Sequence, residues 1–103
     1  MSQLIVHPEA DTETTEAFRW YRDSEPDEPL GDDFLAAVEA AIDKAAELGT
    51  RYLARYPGTP ARYTKLVRFP YLVVFHETGE RLLVVAVAHE KRRPAYWRGR
   101  LDD

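Results

Sequence analysis

Residues 81–89, RLLVVAVAH, constrain this chain more than any other stretch. Leu82, Val84, Ala86 and Ala88 share one strand parity, and Leu83, Val85 and Val87 share the other. A strand with one solvated face alternates apolar and polar side chains, and this run does not. It is also far too short to cross a bilayer as a helix. The segment therefore reads as an interior strand that needs a cover on both faces. Helices supply one cover, and a tail or a partner supplies the other.

The helices are legible upstream. Pro8 suits a first helical turn, and Glu9 and Asp11 suit its positive end. The spacing of Ala10, Ala17, Phe18 and Tyr21 predicts a helix over residues 8–22, with Glu13, Glu16 and Arg19 mostly outside. The stretch SEPDEPLG is a turn rich in proline and acid. Leu30, Phe34, Val38, Ala41, Ile42, Ala45 and Leu48 then predict a second helix over residues 30–48, closed by Gly49. A short link between two helices predicts an antiparallel hairpin. Trp20 and Tyr21 read as packing residues, and His7 as a helix-start residue.

The remaining strands are shorter. Residues 3–7 read as a strand, residues 51–60 as a loop with one helical turn, and residues 61–69 as loose alternation. Pro70 interrupts, residues 71–76 resume as a strand, and residues 77–80, ETGE, form a hairpin turn. Sequential strands with short connections pair antiparallel. The expected fold is α+β and two-layered: an N-terminal strand and a helical hairpin packed on a small antiparallel sheet, with a short C-terminal basic aromatic segment. At 103 residues the chain is read as one domain, 1–103.

Composition removes several functions. No cysteine is present, which excludes disulfides, a thiolate nucleophile and cysteine-based metal sites. Three scattered histidines offer no metal-ligand spacing. No phosphate-loop, dinucleotide or nucleophile-elbow motif is present. The expectation is no cofactor and no metal. The start, MSQLIVHPEA, has no basic region followed by an apolar run, so a cytoplasmic, non-membrane location is expected.

Charge points to a partner. The chain carries a net −4, yet residues 1–50 sum to −10 and residues 51–100 to +8. A basic half attracts an anionic partner, either nucleic acid or an acidic protein segment. The positive charge is densest in HEKRRPAYWRGR, which follows the interior strand directly. Metal-free RNA cleavage needs positive charge on the phosphate and a proton donor or acceptor at the sugar and leaving oxygens. His89, Arg68, Arg92 and Tyr96 are the right types for a catalytic set. Arg62, Lys65, Arg93, Arg98 and Arg100 form the candidate nucleic-acid or partner-binding set. Each also has a structural reading: His89 as a hydrogen-bonded strand end, Tyr96 and Trp97 as caps on the core, Arg62 and Arg68 as ion-pair partners of the helices, and Arg98 and Arg100 as a solvated tail.

Four stretches in one order carry a family resemblance: EAFRWYRD, LGDDFLAAVEAAI, RFPYLVVF and HEKRRPAYWRGR. Over about residues 3–100 the chain resembles the RelE/ParE superfamily of bacterial toxins from type II toxin–antitoxin systems, often called plasmid stabilisation proteins. The resemblance implies a helical hairpin against an antiparallel sheet into which the first strand pairs. It implies a cognate acidic antitoxin that folds on the toxin, and growth arrest when the toxin is free. A homodimer and a toxin–antitoxin heterotetramer are both compatible with it. RelE-like members cut ribosome-bound mRNA, and ParE-like members bind DNA gyrase. If the chain is an enzyme, it is a metal-independent endoribonuclease. Arg62 and Arg68 would then hold phosphate, His89 would act as acid or base, and Arg92 or Arg93 would offset charge. Tyr96 would stack on a base or orient the nucleophile. A non-toxic binding homologue is the third alternative.

Overall fold

A computed structural model describes residues 3–102. Strand β1 (Gln3–Val6) leads into helix α1 (Pro8–Ser24) and helix α2 (Leu30–Leu48). Four strands follow: β2 (Ala54–Arg55), β3 (Arg62–Lys65), β4 (Tyr71–Thr78) and β5 (Arg81–His89). A 3-10 helix (Arg98–Asp102) ends the described chain. The predicted α+β architecture is present. No helix among the described residues is long and apolar enough to cross a membrane.

Local chemistry accounts for the helix ends. Pro8 occupies the first turn of α1, and His7 caps it by accepting the Glu9 N–H on Nδ1 at 3.1 Å. The helix runs two residues past the expected end, and the Ser24 hydroxyl donates back to the Trp20 carbonyl. At Gly49 φ is +79°, a region that favours glycine, and its N–H bonds the Ala45 carbonyl to close α2.

The five strands form one mixed sheet in the order β1-β5-β4-β3-β2. β1 runs parallel to β5, with Gln3 opposite Arg81 and Val6 opposite Val84. The other pairings are antiparallel. The expected antiparallel sheet is present, and β1 adds the one parallel pairing among the described strands, because the chain returns to β1 only after the whole helical hairpin and three strands. One local expectation is corrected. Residues 51–60 hold the short strand β2, paired to β3 through Ala54–Tyr63 and Arg55–Arg62, where a helical turn was expected.

β5 has a cover on each face, as its composition requires. On one side α1 and α2 bury Ala10, Ala17, Phe34, Val38 and Ala45 against Val73, Phe75, Leu82, Val84 and Val87. On the other side Trp97 packs on Ala61, Val74, Val85, Ala86 and Ala88. Trp97 is only 1% exposed and meets Tyr56 edge-on at 4.9 Å between ring centroids. The C-terminal segment is thus the second cover.

A bulge changes which residues face which cover. Val74 pairs with Ala86, but Phe75 pairs with Val84, so Val85 is the extra residue. Strict alternation would put Leu82, Val84, Ala86 and Ala88 together. Instead Leu82, Val84 and Val87 face the helices, while Leu83, Val85, Ala86 and Ala88 face the tail. Past the bulge, His89 comes to the helix side of the sheet, against Tyr71.

Candidate functional site

The C-terminal end of β5 gathers the chemistry. Among the described residues β1 pairs with β5 over 3–6, and beyond Val84 the N–H and C=O groups on that side have no strand partner. Glu13 of α1 and Arg100 of the 3-10 helix replace it. Glu13 Oε1 accepts the Val87 N–H at 3.1 Å, and Arg100 Nη1 donates to the Val85 carbonyl at 3.2 Å. Arg100 also grips the Glu13 carboxylate two-pronged, at 2.9 and 3.1 Å, and its Nε stands 3.4 Å from Glu9. The Tyr96 hydroxyl donates to Glu13 Oε2.

Both charges of this pair are nearly hidden, with side-chain exposures of 12% for Arg100 and 13% for Glu13. Burial alone would lower the Arg100 pKa, but the hydrogen bond and charge of Glu13 outweigh it and push it up. Burial raises the Tyr96 pKa well above the ordinary phenol value, and the bond to Glu13 adds to the shift. Tyr96 is therefore a committed proton donor, held between two cations. The Arg92 guanidinium lies 3.8 Å and that of Arg100 5.3 Å from its ring centroid.

Beside this clasp lies a shallow cleft of about 230 Å³ lined by Glu16, Trp20, Tyr71, His89 and Arg92. The His89 ring meets Tyr71 edge-on at 5.0 Å, and its Nδ1 accepts the Lys91 N–H at 3.1 Å. Tyr71 is itself pushed above the usual phenol range, first by burial and then by the charge of Glu13. Trp20 is 65% exposed and stands over a second small cleft with Pro70, Tyr71 and His89. This corrects its reading as a packing residue. Tyr21 does pack, among Phe34, Phe69 and Tyr71.

The other predicted residues lie elsewhere. Arg62 Nη1 donates to the Leu53 carbonyl at 2.9 Å and lines a cleft with Arg51, Arg55 and Glu77 at the far end of β4. Arg68 sits in the loop after β3, not on the strand, and pairs with Asp33 of α2 at 3.2 Å. Lys65 pairs with Glu90 at 3.1 Å. Arg93 and Arg98 are exposed on the C-terminal segment. Arg100 is no part of a solvated tail, because Glu13 holds it against β5. The fold brings His89, Arg92 and Tyr96 together and leaves Arg62 and Arg68 out.

Two features escaped the sequence reading. Glu13 was placed on the solvated face, yet Ala10, Glu13 and Ala17 follow the three- and four-residue steps of the buried stripe, which is a usable signal. The second is a groove of about 520 Å³ between α2 and the loop at residues 66–69. Ala36, Ala37, Ala40 and Ala41 line it with Lys44, the Asp33–Arg68 ion pair and Val67, which is 100% exposed. The alanines look like ordinary helix formers in sequence.

The family follows from comparison with known proteins. A model of the ParE toxin of the type II toxin–antitoxin system parDE matches residues 4–94. The chain belongs to this family, and it is the toxin component of a ParE-like type II system, neutralised by a cognate antitoxin. A solved structure described as the chromosomal ParDE toxin–antitoxin system from P. aeruginosa shares the fold, with a TM-score of 0.61 at 17% identity. The match covers 86% of this chain and 96% of that one. No curated protein matches the sequence significantly.

Proposed function

We propose that this toxin arrests growth by gripping a protein target, DNA gyrase being the one its family resemblance implies, and not by cutting mRNA. The dispersal of the nuclease set carries this reading. Cleavage would need His89 and at least two of Arg62, Arg68, Arg92 and Arg93 in one open cleft. Here Arg62, Arg68 and His89 line three different clefts. The Tyr96 hydroxyl is occupied by Glu13, and Trp97 closes the sheet face opposite the helices.

The surface formed by Trp20, Tyr71, His89 and Arg92 suits protein recognition better. An exposed tryptophan beside tyrosine and arginine is the residue mix that dominates binding energy at interfaces. The cognate antitoxin would occupy the alanine-floored groove along α2. An acidic amphipathic segment would lay apolar side chains on the alanines and a carboxylate on Lys44.

Expression of the chain alone tests the reading. Growth arrest with intact transcripts and altered DNA supercoiling supports it, and Trp20→Ala should relieve the arrest. Early transcript cleavage with normal supercoiling overturns it. Absence of arrest under verified expression also overturns it and favours a binding homologue.

A further inference from the structure

Three arginines at the opposite pole share one cleft with a single carboxylate, Glu77. Arg51, Arg55 and Arg62 line a cleft of about 510 Å³ between the end of α2, β2 and the β4–β5 turn. Among the described residues none of the three forms an ion pair. Arg22, Lys65, Arg68 and Arg100 all do.

Arg62 is fixed in place by the Leu53 carbonyl at 2.9 Å, which uses only one of its N–H groups. Arg51 and Arg55 are exposed and free to close on a ligand. Glu77 is the carboxylate lining the cleft, and the N–H and hydroxyl of Thr50 occupy its Oε1, at 3.0 and 2.8 Å. The cleft is therefore walled by two turns and furnished with three guanidinium forks.

We propose that this cleft is a carboxylate-binding site that reads an acidic peptide segment. Planar guanidinium groups hold a carboxylate through two parallel N–H bonds. A nucleic-acid strand is the poorer fit. It needs a continuous positive track along its backbone. Here Glu77 and the negative end of α2 border the arginines, and residues 1–50 carry a net −10 that repels a long polyanion. A short segment with one or two carboxylates meets only the local charge. The proposal does not depend on whether the toxin acts on gyrase or on RNA, and the cleft shares no residue with the His89 surface.

Titration of the intact chain with a labelled oligoglutamate peptide, followed by fluorescence anisotropy, tests the proposal. The Arg51→Ala/Arg55→Ala variant should weaken binding by about tenfold, the sum of two exposed ion pairs. The Arg19→Ala/Arg22→Ala variant removes the same charge from α1 and should leave binding unchanged. Circular dichroism melts of both variants should match the parent, since all four side chains are exposed. Equal weakening by the two variants, or no binding at all, overturns the proposal. So does an oligouridylate of matched charge that binds more tightly and loses affinity through Arg51 and Arg55, which would make the cleft a nucleic-acid site.

Discussion

At the scale of single residues, Glu13 decides how the C-terminal segment is held. One carboxylate accepts from Val87, Tyr96 and Arg100, and so joins α1, β5 and the last helical turn. Removing one member of a buried ion pair leaves the other uncompensated. Glu13→Ala should therefore destabilise the fold by roughly 3 kcal/mol, as should Arg100→Ala, measured by urea unfolding. The double variant should cost much less than the two added together, because the pair acts as a unit. Tyr96 brings a pH dependence. Its folded-state pKa is raised, so the native state keeps a proton that the unfolded chain loses near the ordinary phenol value. The associated stability is fully present at neutral pH and is lost as pH rises above about 10. Tyr96→Phe should flatten that alkaline decline in stability measured from pH 8 upward.

At the scale of elements, two close approaches set the geometry. Gly31 opens α2 directly beneath Phe18 of α1. A Cβ there would sit 3.0 Å from the Phe18 ring and 3.2 Å from its backbone carbonyl. Helix propensity alone predicts that Gly31→Ala stabilises by about 1 kcal/mol. The contact with backbone cannot yield, so we expect a net loss of about 1–2 kcal/mol in thermal or chemical unfolding. The groove along α2 makes a functional prediction. Ala37→Arg should fill it while leaving the His89 surface untouched. Cells expressing this variant should still arrest, and co-expression of the cognate antitoxin should no longer rescue them. Rescue equal to that of the parent would place the antitoxin elsewhere.

At the scale of the whole molecule, the sheet is covered on both sides by unequal layers. The helical hairpin forms a broad core, whereas one tryptophan anchors the opposite cover. Trp97→Ala should cost about 3–5 kcal/mol and should expose Val74, Val85 and Ala86, read as increased binding of a hydrophobic dye together with a lower Tm. Charge is polarised on the same scale. The arginine cleft of the β2 pole and the aromatic, cationic corner at His89 lie at opposite ends of β4, so the two proposed binding surfaces do not overlap.

The α+β class, the two helices and the need to cover β5 twice were legible in the sequence, because periodicity and apolar runs report burial locally. The sequence singled out His89, Arg92 and Tyr96, and the fold sets His89 beside Arg92 and Arg92 over Tyr96. Their roles were not legible. A bulge at Val85 reverses the facing of the strand beyond it, and nothing in an apolar run marks where an extra residue sits. Arg62 and Arg68, six positions apart in sequence, end in different clefts, since one stays on β3 and the other leaves it for a loop. The parallel pairing of β1 with β5 leaves part of an edge open, and only the assembled fold shows that Glu13 and Arg100 close it. Which segments must be buried follows from local pattern and is written in the chain. Which charges meet follows from register, and one residue of slip moves a side chain to the other face, so the assembled sheet sets it.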